Sequence, residues 1–318
     1  MRKKRYILSV IFLCALLSNA AAQWDIPVTQ FWYAKSSYNP SFAGHREEVD
    51  VNALYKQYWT KAAESPRTLV INGSMPVEFL GLRHGVGVSL INTNMGNVSN
   101  TFIAAKYAYK HRVGRGWLNF GAQLGLHQLN FDEGSYKIQI DSTQGVQKKI
   151  VANPVDKKRV DFNAGMSWNT ESFFVGVAAM HLNEPQYYSI PIDNDADSTY
   201  SKIPISYNLM LGYNIKLFST LFEIEPMVFA QHTSQQTYLH GAMQIKWAKK
   251  ISAGAMWRGD EGYSIFAGAD ISGVGIGYAY DYNQKMDAGP NHEIVLRYNF
   301  PLDLFKPKPQ PHKSIRLL

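Results

Sequence analysis

Apolar side chains alternate with small or polar ones along most of this chain, from Val49 to Phe300, in stretches of about ten residues separated by turn residues. In the clearest stretch, Val160, Phe162, Ala164, Met166 and Trp168 fall on one face, and Asp161, Asn163, Gly165 and Ser167 fall on the other. Successive side chains of a β-strand point to opposite faces. The pattern therefore predicts strands with one apolar and one polar face.

Fourteen segments fit this pattern, at approximately 49–59, 68–77, 84–93, 100–111, 116–127, 159–169, 172–182, 204–216, 220–231, 236–247, 250–258, 262–271, 273–283 and 291–300. Such strands suit either a soluble sandwich or a barrel whose apolar face meets lipid. Pro226 lies in the middle of a predicted strand. Because proline cannot donate to the strand ladder, we expect a bulge there.

The connections between the predicted strands favour the barrel. Short connections follow the even-numbered strands, whereas the two longest, 128–158 and 183–203, follow odd-numbered ones. Bacterial outer-membrane barrels have an even number of strands, short periplasmic turns and longer outer loops. The last strand also ends on an aromatic residue, Phe300, as is typical of such barrels. We therefore predict an all-β, antiparallel transmembrane β-barrel of 14 strands at 49–300, with an N-terminal segment outside the barrel wall.

The first 22 residues have the features of a secretory signal peptide. Basic residues 2–5 precede an apolar run over 6–17, and Ala20, Ala21 and Ala22 form a small-residue cleavage site. We expect cleavage near Ala22 by the Sec route and a final location in the bacterial outer membrane. Cys14, the single cysteine, lies in this leader, so the mature chain has no thiol chemistry.

Charge adds little to this picture. The formal charge of +7 falls to +3 without the four basic residues of the leader, and no dense basic cluster is present. A nucleic-acid partner is therefore not predicted. The lipid bilayer is the expected surroundings of the apolar strand faces.

Two segments flank the predicted barrel. Residues 23–48 do not alternate, and they are too rich in aromatic residues for a free linker. We expect them to form a periplasmic N-terminal segment or a plug of the lumen. Residues 301–318 contain four prolines and several basic residues, so they are not expected to pair in a sheet. We interpret them as a Pro/Lys-rich periplasmic tail.

One loop carries a pattern that suits a metal ion. Asp193, Asp195 and Asp197 alternate in the second long loop, and carboxylate oxygens at this spacing are ligands for Ca²⁺. The segment lacks the glycine at position six and the glutamate at position twelve of the calcium-binding loop. A solvated acidic loop is therefore the preferred interpretation.

The polar strand faces offer few candidates for catalysis. Glu223 and Glu225 share one face, where we expect them to pair with basic residues rather than act as acid and base. The expected partners are Lys216, Lys246 and Arg258. The nine histidines show no HExxH or HxH spacing, so a zinc site is not supported. We predict no catalytic, cofactor-binding or metal-binding residues, no cofactor, and no enzymatic activity.

The order of several short motifs resembles the PorP/SprF family. These are Gln30, Asn39-Pro40-Ser41-Phe42-Ala43-Gly44, Lys56-Gln57-Tyr58-Trp59, Ser65-Pro66-Arg67-Thr68, Ser74-Met75-Pro76, Tyr280-Asp281-Tyr282, Asn291-His292-Glu293-Ile294 and Tyr298-Asn299-Phe300. No single motif is specific, but their order spans the mature chain. Tyr58 and the Pro/Lys-rich tail depart from the family pattern.

The resemblance implies an outer-membrane barrel of the type IX secretion system of Bacteroidota, without known catalysis. It implies a role in protein secretion, gliding motility or the surface attachment of an exported adhesin. The implied partners are secretion components in the periplasm and outer membrane and an exported adhesin or cargo protein. A passive or gated porin is the alternative that the polar lumen itself suggests. An outer-membrane lipid hydrolase with a Ser-His pair is a weaker one.

Overall fold

The computed structural model describes residues 27–58, 60, 65–96, 98–131, 157–187, 201–217, 221–283 and 289–302. The proposed leader 1–22, the acidic triplet Asp193, Asp195 and Asp197, most of the two long loops and the tail beyond Leu302 lie outside these residues. Among the described residues the helices are single turns, and none has the length and apolar character that crossing a membrane requires.

Fourteen antiparallel strands form one closed barrel, which confirms the predicted fold. The strands are β1 Glu48–Gln57, β2 Arg67–Phe79, β3 Leu82–Met95, β4 Val98–Val113, β5 Gly116–Phe131, β6 Lys157–Asn169, β7 Phe173–Met180, β8 Ser206–Tyr213 continued by Ile215–Leu217, β9 Phe222–Thr233, β10 Thr237–Trp247, β11 Ile251–Trp257, β12 Gly262–Ile271, β13 Val274–Asn283 and β14 Asn291–Pro301. Each strand pairs with its neighbours in the chain, and β14 closes the barrel on β1, from Glu48 opposite Pro301 to Gln57 opposite His292.

The two ends of the barrel differ in their connections. One end, the turn end, carries short connections such as 80–81, 114–115 and 272–273. The other end, the loop end, carries the long connections that follow β5 and β7. A short ladder between Gln186–Tyr187 and Ser201–Lys202 stands at the base of the second of these. If the barrel follows the rule for outer-membrane barrels, as the sequence predicts, the turn end faces the periplasm.

Side chains alternate across the wall as the sequence pattern predicts. On β6, Phe162 is 50% exposed on the outer face, while Asp161 and Asn163 are buried on the lumenal face. Exposed aromatic residues stand near both ends of the outer face. They are Phe79, Trp168, Phe222, Trp247 and Phe300 at the turn end and Tyr55, Tyr207, Trp257, Tyr263 and Tyr282 at the loop end. Aromatic girdles at both membrane interfaces are a property of outer-membrane barrels.

The predicted bulge at Pro226 is wrong. The pairing of β8 with β9 runs from Ser206 opposite Thr233 to Gly212 opposite Met227 and resumes in the same register at Ile215 opposite Ile224. The β10 side of Pro226 also keeps an unbroken register. Proline removes one donor but inserts no extra residue. The flanking pairs therefore hold the register, and β8 is only interrupted at Asn214.

Candidate functional site

Residues 27–47, which we call the lumenal segment, lie inside the barrel. A single 3₁₀ turn at Phe31–Tyr33, an α-helical turn at Lys35–Tyr38 and a second 3₁₀ turn at Pro40–Phe42 shape this segment. Asn39 begins the last turn, because its side-chain oxygen accepts from the Ser41 amide at 3.0 Å and from the Ser41 hydroxyl at 2.7 Å. Most of the segment is fully buried, although no regular strand or long helix supports it.

The contacts of the lumenal segment trace a path along the whole lumen. Thr29 and Gln30 contact the wall near the loop end of β14, where Glu293 accepts from both of their amides. Asn39 lies midway and donates to the carbonyls of Met166 and Val177 at 3.2 and 3.1 Å. The Gly44 carbonyl accepts a hydrogen bond from Lys110 Nζ, on β4 near the turn end. The chain then enters β1 at that end.

Apolar packing accompanies these polar contacts. The ring centroids of Phe31 and Phe229 are 5.3 Å apart, those of Trp32 and Phe266 are 4.7 Å apart, and those of Phe42 and Phe174 are 5.9 Å apart. In each pair the first residue belongs to the lumenal segment and the second to the wall. Among the described residues, the lumen therefore contains aromatic side chains of the segment packed against the wall.

Lumenal glycines make room for this close approach. A Cβ atom at Gly277 would lie 2.7 Å from the Gln30 side chain, and one at Gly121 would overlap the Ser41 backbone. Real Cβ atoms do not occupy such positions, so a side chain at Gly121 displaces the segment backbone, and one at Gly277 displaces at least the Gln30 side chain. The glycines that alternate along the polar strand faces thus form the surface against which residues 27–47 pack.

A buried charge cluster holds the loop end of the segment; it consists of Lys56, Arg258, Asp281 and Glu293. The Asp281 carboxylate lies 2.9 Å from Lys56 Nζ and 2.9 Å from an Arg258 nitrogen, and all of these side chains are at most 3% exposed. The Thr29 hydroxyl donates to Asp281 at 2.8 Å. Buried charges are tolerated only when they are paired and hydrogen-bonded, as here.

The turn end contains a cavity of about 390 Å³ between the segment and the wall. Lys35, His45 and Arg46 of the segment line it together with Glu225 and Lys246 of the wall. Burial lowers the pKa of Lys35 to about 7, and the nearby Arg46 adds to this effect. Burial also lowers the pKa of His45 well below its ordinary value, with Lys35, Arg46 and Lys110 acting in the same direction.

The structure places only part of the predicted set around Glu223 and Glu225 together. Lys246 lies 2.7 Å from Glu225 and pairs with it as expected. Lys216 stands opposite Glu223 in the ladder, but Asn214 donates to both glutamates, at 2.8 and 2.9 Å. Arg258 lies in the charge cluster at the opposite end of the lumen. The prediction for Arg258 was wrong because this residue follows β11 at the loop end, whereas the two glutamates lie near the turn end of β9. Sequence spacing does not reveal this difference in position.

Two groups were missed by the sequence interpretation. The charge cluster joins Lys56 to residues more than two hundred positions away, so no local pattern indicates it. A second buried group consists of His127, Asp161 and His181, whose ligand atoms all lie within 4.8 Å of one another. His127 lies on β5 and His181 follows β7, so no local spacing indicates their approach.

Residues 20–298 match the model of the family described as type IX secretion system membrane protein PorP/SprF. The chain belongs to the PorP/SprF family. The resemblance inferred from the motifs is thereby confirmed, and this PorP/SprF protein is a barrel component of type IX secretion in the outer membrane. No curated protein matches the sequence significantly.

Solved outer-membrane proteins share the fold of this PorP/SprF chain. The Pseudomonas putida toluene transporter TodX has 9% sequence identity and a TM-score of 0.50, with 87% of this chain and 95% of that chain covered. A Pseudomonas aeruginosa FadL homologue has 10% identity and a TM-score of 0.48, over 84% of this chain and 93% of that chain. At such identities, the likeness to TodX shows the barrel fold alone.

Proposed function

We propose that this PorP/SprF barrel acts as a closed platform rather than as a conduit. It binds an exported protein at the loop end and periplasmic components of the secretion machinery at the turn end. The observation that carries this proposal is the lumenal segment, which fills the barrel from the charge cluster to the turn end. The porin alternative requires this segment to leave.

The energetics of the charge cluster support a permanently seated segment. Withdrawing residues 27–30 removes two amide donors, at 2.6 and 2.7 Å, from a fully buried Glu293. Hydrogen bonds to charged groups contribute roughly 1.5–3 kcal/mol each. Aromatic contacts of Phe31 and Trp32 would be lost at the same time. The segment therefore behaves as part of the barrel core and not as a loosely held gate.

The two ends of the barrel offer different binding surfaces. The connections predicted as long outer loops, 128–158 and 183–203, leave the described wall at the loop end, and an exported adhesin or cargo protein would meet the barrel there. At the turn end, the cavity with its mixed charges is lined in part by Arg297 of β14, the strand that precedes the predicted tail 301–318. We assign this surface to periplasmic components. Secretion, gliding and adhesin attachment are all compatible with it.

A paired crosslinking experiment tests whether the two ends bind different classes of partner. One variant replaces residues 132–156 with a short Gly-Ser turn, and its counterpart lacks residues 303–318. Each is expressed in cells that lack the native gene, crosslinked and identified with its partners by mass spectrometry. We expect the loop variant to lose an exported protein only and the tail variant to lose periplasmic partners only. Loss of neither class from either variant would contradict the proposal.

Conductance distinguishes the platform from the porin. The purified wild-type barrel in planar bilayers is expected to be silent, because the lumenal segment occupies its lumen. A variant that lacks residues 27–43 serves as the positive control for an emptied barrel. A stable open pore formed by the wild-type protein would establish the porin instead.

A further inference from the structure

Three buried side chains meet near the loop end, on the side of the lumen that carries both long loops. His127 lies on β5 close to its loop end, Asp161 lies on β6, and His181 follows directly after β7. Their side chains are at most 3% exposed. The β5–β6 loop and the β7–β8 loop both begin within a few residues of this group, which we call the histidine cluster.

The separations within the histidine cluster match those around a tetrahedral ion. His181 Nδ1 lies 3.0 Å and His127 Nε2 lies 3.5 Å from Asp161 Oδ2. Ligand atoms at about 2.0–2.1 Å from a tetrahedral Zn²⁺ lie about 3.3 Å from one another. The two distances to Asp161 lie on either side of that value, and all three ligand atoms lie within 4.8 Å of one another, so side-chain movements would bring them around one ion.

Hydrogen bonds orient the ring of His127 for this role. Its Nδ1 lies 3.3 Å from the side-chain oxygen of Asn100 and donates to it. The other nitrogen, Nε2, then carries a lone pair that points at the Asp161 carboxylate. Two acceptors facing each other in a buried place repel unless a proton or a cation lies between them. A second partner that fixes the tautomer of a ligand histidine is usual in metal sites.

Unpartnered atoms point into the same space. His127 Nε2 and Asp161 Oδ1 are buried and accept no hydrogen bond among the described residues. Buried polar atoms are nearly always satisfied, so each exception asks for an explanation. Asn163 already occupies one side of the carboxylate by donating to Oδ2 at 3.0 Å. A cation in the cluster would contact His127 Nε2, and Asp161 Oδ1 gives the carboxylate a second oxygen with which to bind it.

The backbone at His181 is held in an unusual conformation that serves the cluster. Its φ of 58° lies in the left-handed region, which residues other than glycine seldom adopt. The His181 amide donates to the side-chain oxygen of Asn163 at 2.5 Å, which fixes the residue against β6. Strain of this kind persists where the surrounding structure demands it, often at binding sites.

We propose that His127 Nε2, Asp161 and His181 Nδ1 bind Zn²⁺, with a fourth position open to water or an incoming ligand. Two neutral imidazoles and one carboxylate form a ligand set that suits this ion. The ion ties β5 and β6 to the residue at which the β7–β8 loop begins. It thereby fastens the bases of both long loops at the proposed binding end of the barrel.

Metal binding is measured on the full-length barrel in detergent, purified through a tag without histidines and stripped with EDTA. Zn²⁺ alone is titrated in competition with a chromophoric chelator. We expect one equivalent to bind to the wild type and at least ~100-fold weaker binding in His127→Gln and His181→Gln, since loss of an outer partner alone costs 10–100-fold. The matched control is His240→Gln, which alters another buried lumenal histidine and should bind as the wild type does.

Two further measurements keep the proposal open to refutation. Heat-modifiable migration on gels establishes that each variant is folded. If a ligand variant does not fold, Co²⁺ is added to the stripped wild type, whose absorption should show d–d bands of tetrahedral intensity. Absence of those bands, absence of stoichiometric Zn²⁺ binding, or equal binding by all variants overturns the site. In that case Asp161 only orients the two imidazole rings.

Discussion

The two ends of the lumen hold the same kinds of charged residue in opposite circumstances. At the loop end, Lys56, Arg258 and Asp281 are almost fully buried, and Lys56 and Asp281 contact Thr29 of the lumenal segment. At the turn end, Lys246 and Glu225 pair beside an open cavity, with side chains 31% and 18% exposed. A buried pair is strongly destabilised when one partner is removed, whereas an exposed pair contributes little. The loop end thus anchors the lumenal segment, and the charged residues of the turn end remain available for contacts with a partner protein.

The largest effect should follow from breaking the buried cluster. Asp281→Ala leaves Lys56 and Arg258 buried without their shared carboxylate, and removing one partner of a buried pair costs about 3–5 kcal/mol. We expect a marked loss of unfolding free energy in urea and release of residues 27–30 from the wall. Equal stability of Asp281→Ala and the wild type would show that the cluster does not anchor the segment.

A smaller but more specific effect is expected from filling the space of a lumenal glycine. Gly121→Val places side-chain atoms where the Ser41 backbone lies, and overpacking of this kind typically costs about 1–3 kcal/mol. Because the predicted mature chain has no cysteine, a single Ser37→Cys reporter measures exposure of the segment by maleimide labelling. Labelling should be faster in Gly121→Val than in the reporter alone.

Gly241→Ala is the matched control for this experiment. It adds a methyl group to a strand position whose only close neighbour is a Trp257 ring atom at 4.0 Å. Its labelling rate should equal that of the reporter alone. Similar labelling in all three proteins would show that the segment does not pack against Gly121.

The turn end should give the segment a dependence on pH. Burial and three neighbouring basic residues lower the pKa of His45 well below 6.5, so the folded protein keeps this ring neutral. Below that pH the unfolded chain binds a proton that the folded chain does not, and stability is lost as the pH falls. Unfolding in urea from about pH 7.5 to about pH 5.5 should show a shallower decline for His45→Gln. If the unfolding free energy of His45→Gln declined with pH as steeply as that of the wild type, His45 would not be the source of the pH dependence.

The smallest effect on stability should come from the exposed pair. Lys246→Ala removes an ion pair of a kind that contributes about 0–1 kcal/mol, so urea unfolding should hardly change. Crosslinking to periplasmic partners, in contrast, should weaken if the turn end is the proposed binding surface. A loss of stability equal to that of Asp281→Ala would remove the distinction between the two ends.

The alternation of side chains was sufficient to predict the number and order of strands, because strand periodicity is a local property that each segment carries by itself. Loop lengths and the aromatic last strand then favoured a barrel over a sandwich, and the order of motifs indicated the family. Pro226 was correctly placed within a strand, but its predicted effect was wrong. A missing donor interrupts the ladder without changing its register.

The path of the lumenal segment and the two buried clusters were decided by the closed barrel alone. Thr29 and Asp281 are 252 positions apart and meet only because β14 pairs with β1 and brings β13 beside them. His127 and His181 approach because β5, β6 and β7 are adjacent in one register. Such contacts depend on ring closure and strand stagger, which no local pattern encodes. The sequence by itself determined which faces meet lipid, and the tertiary structure decided what fills the lumen.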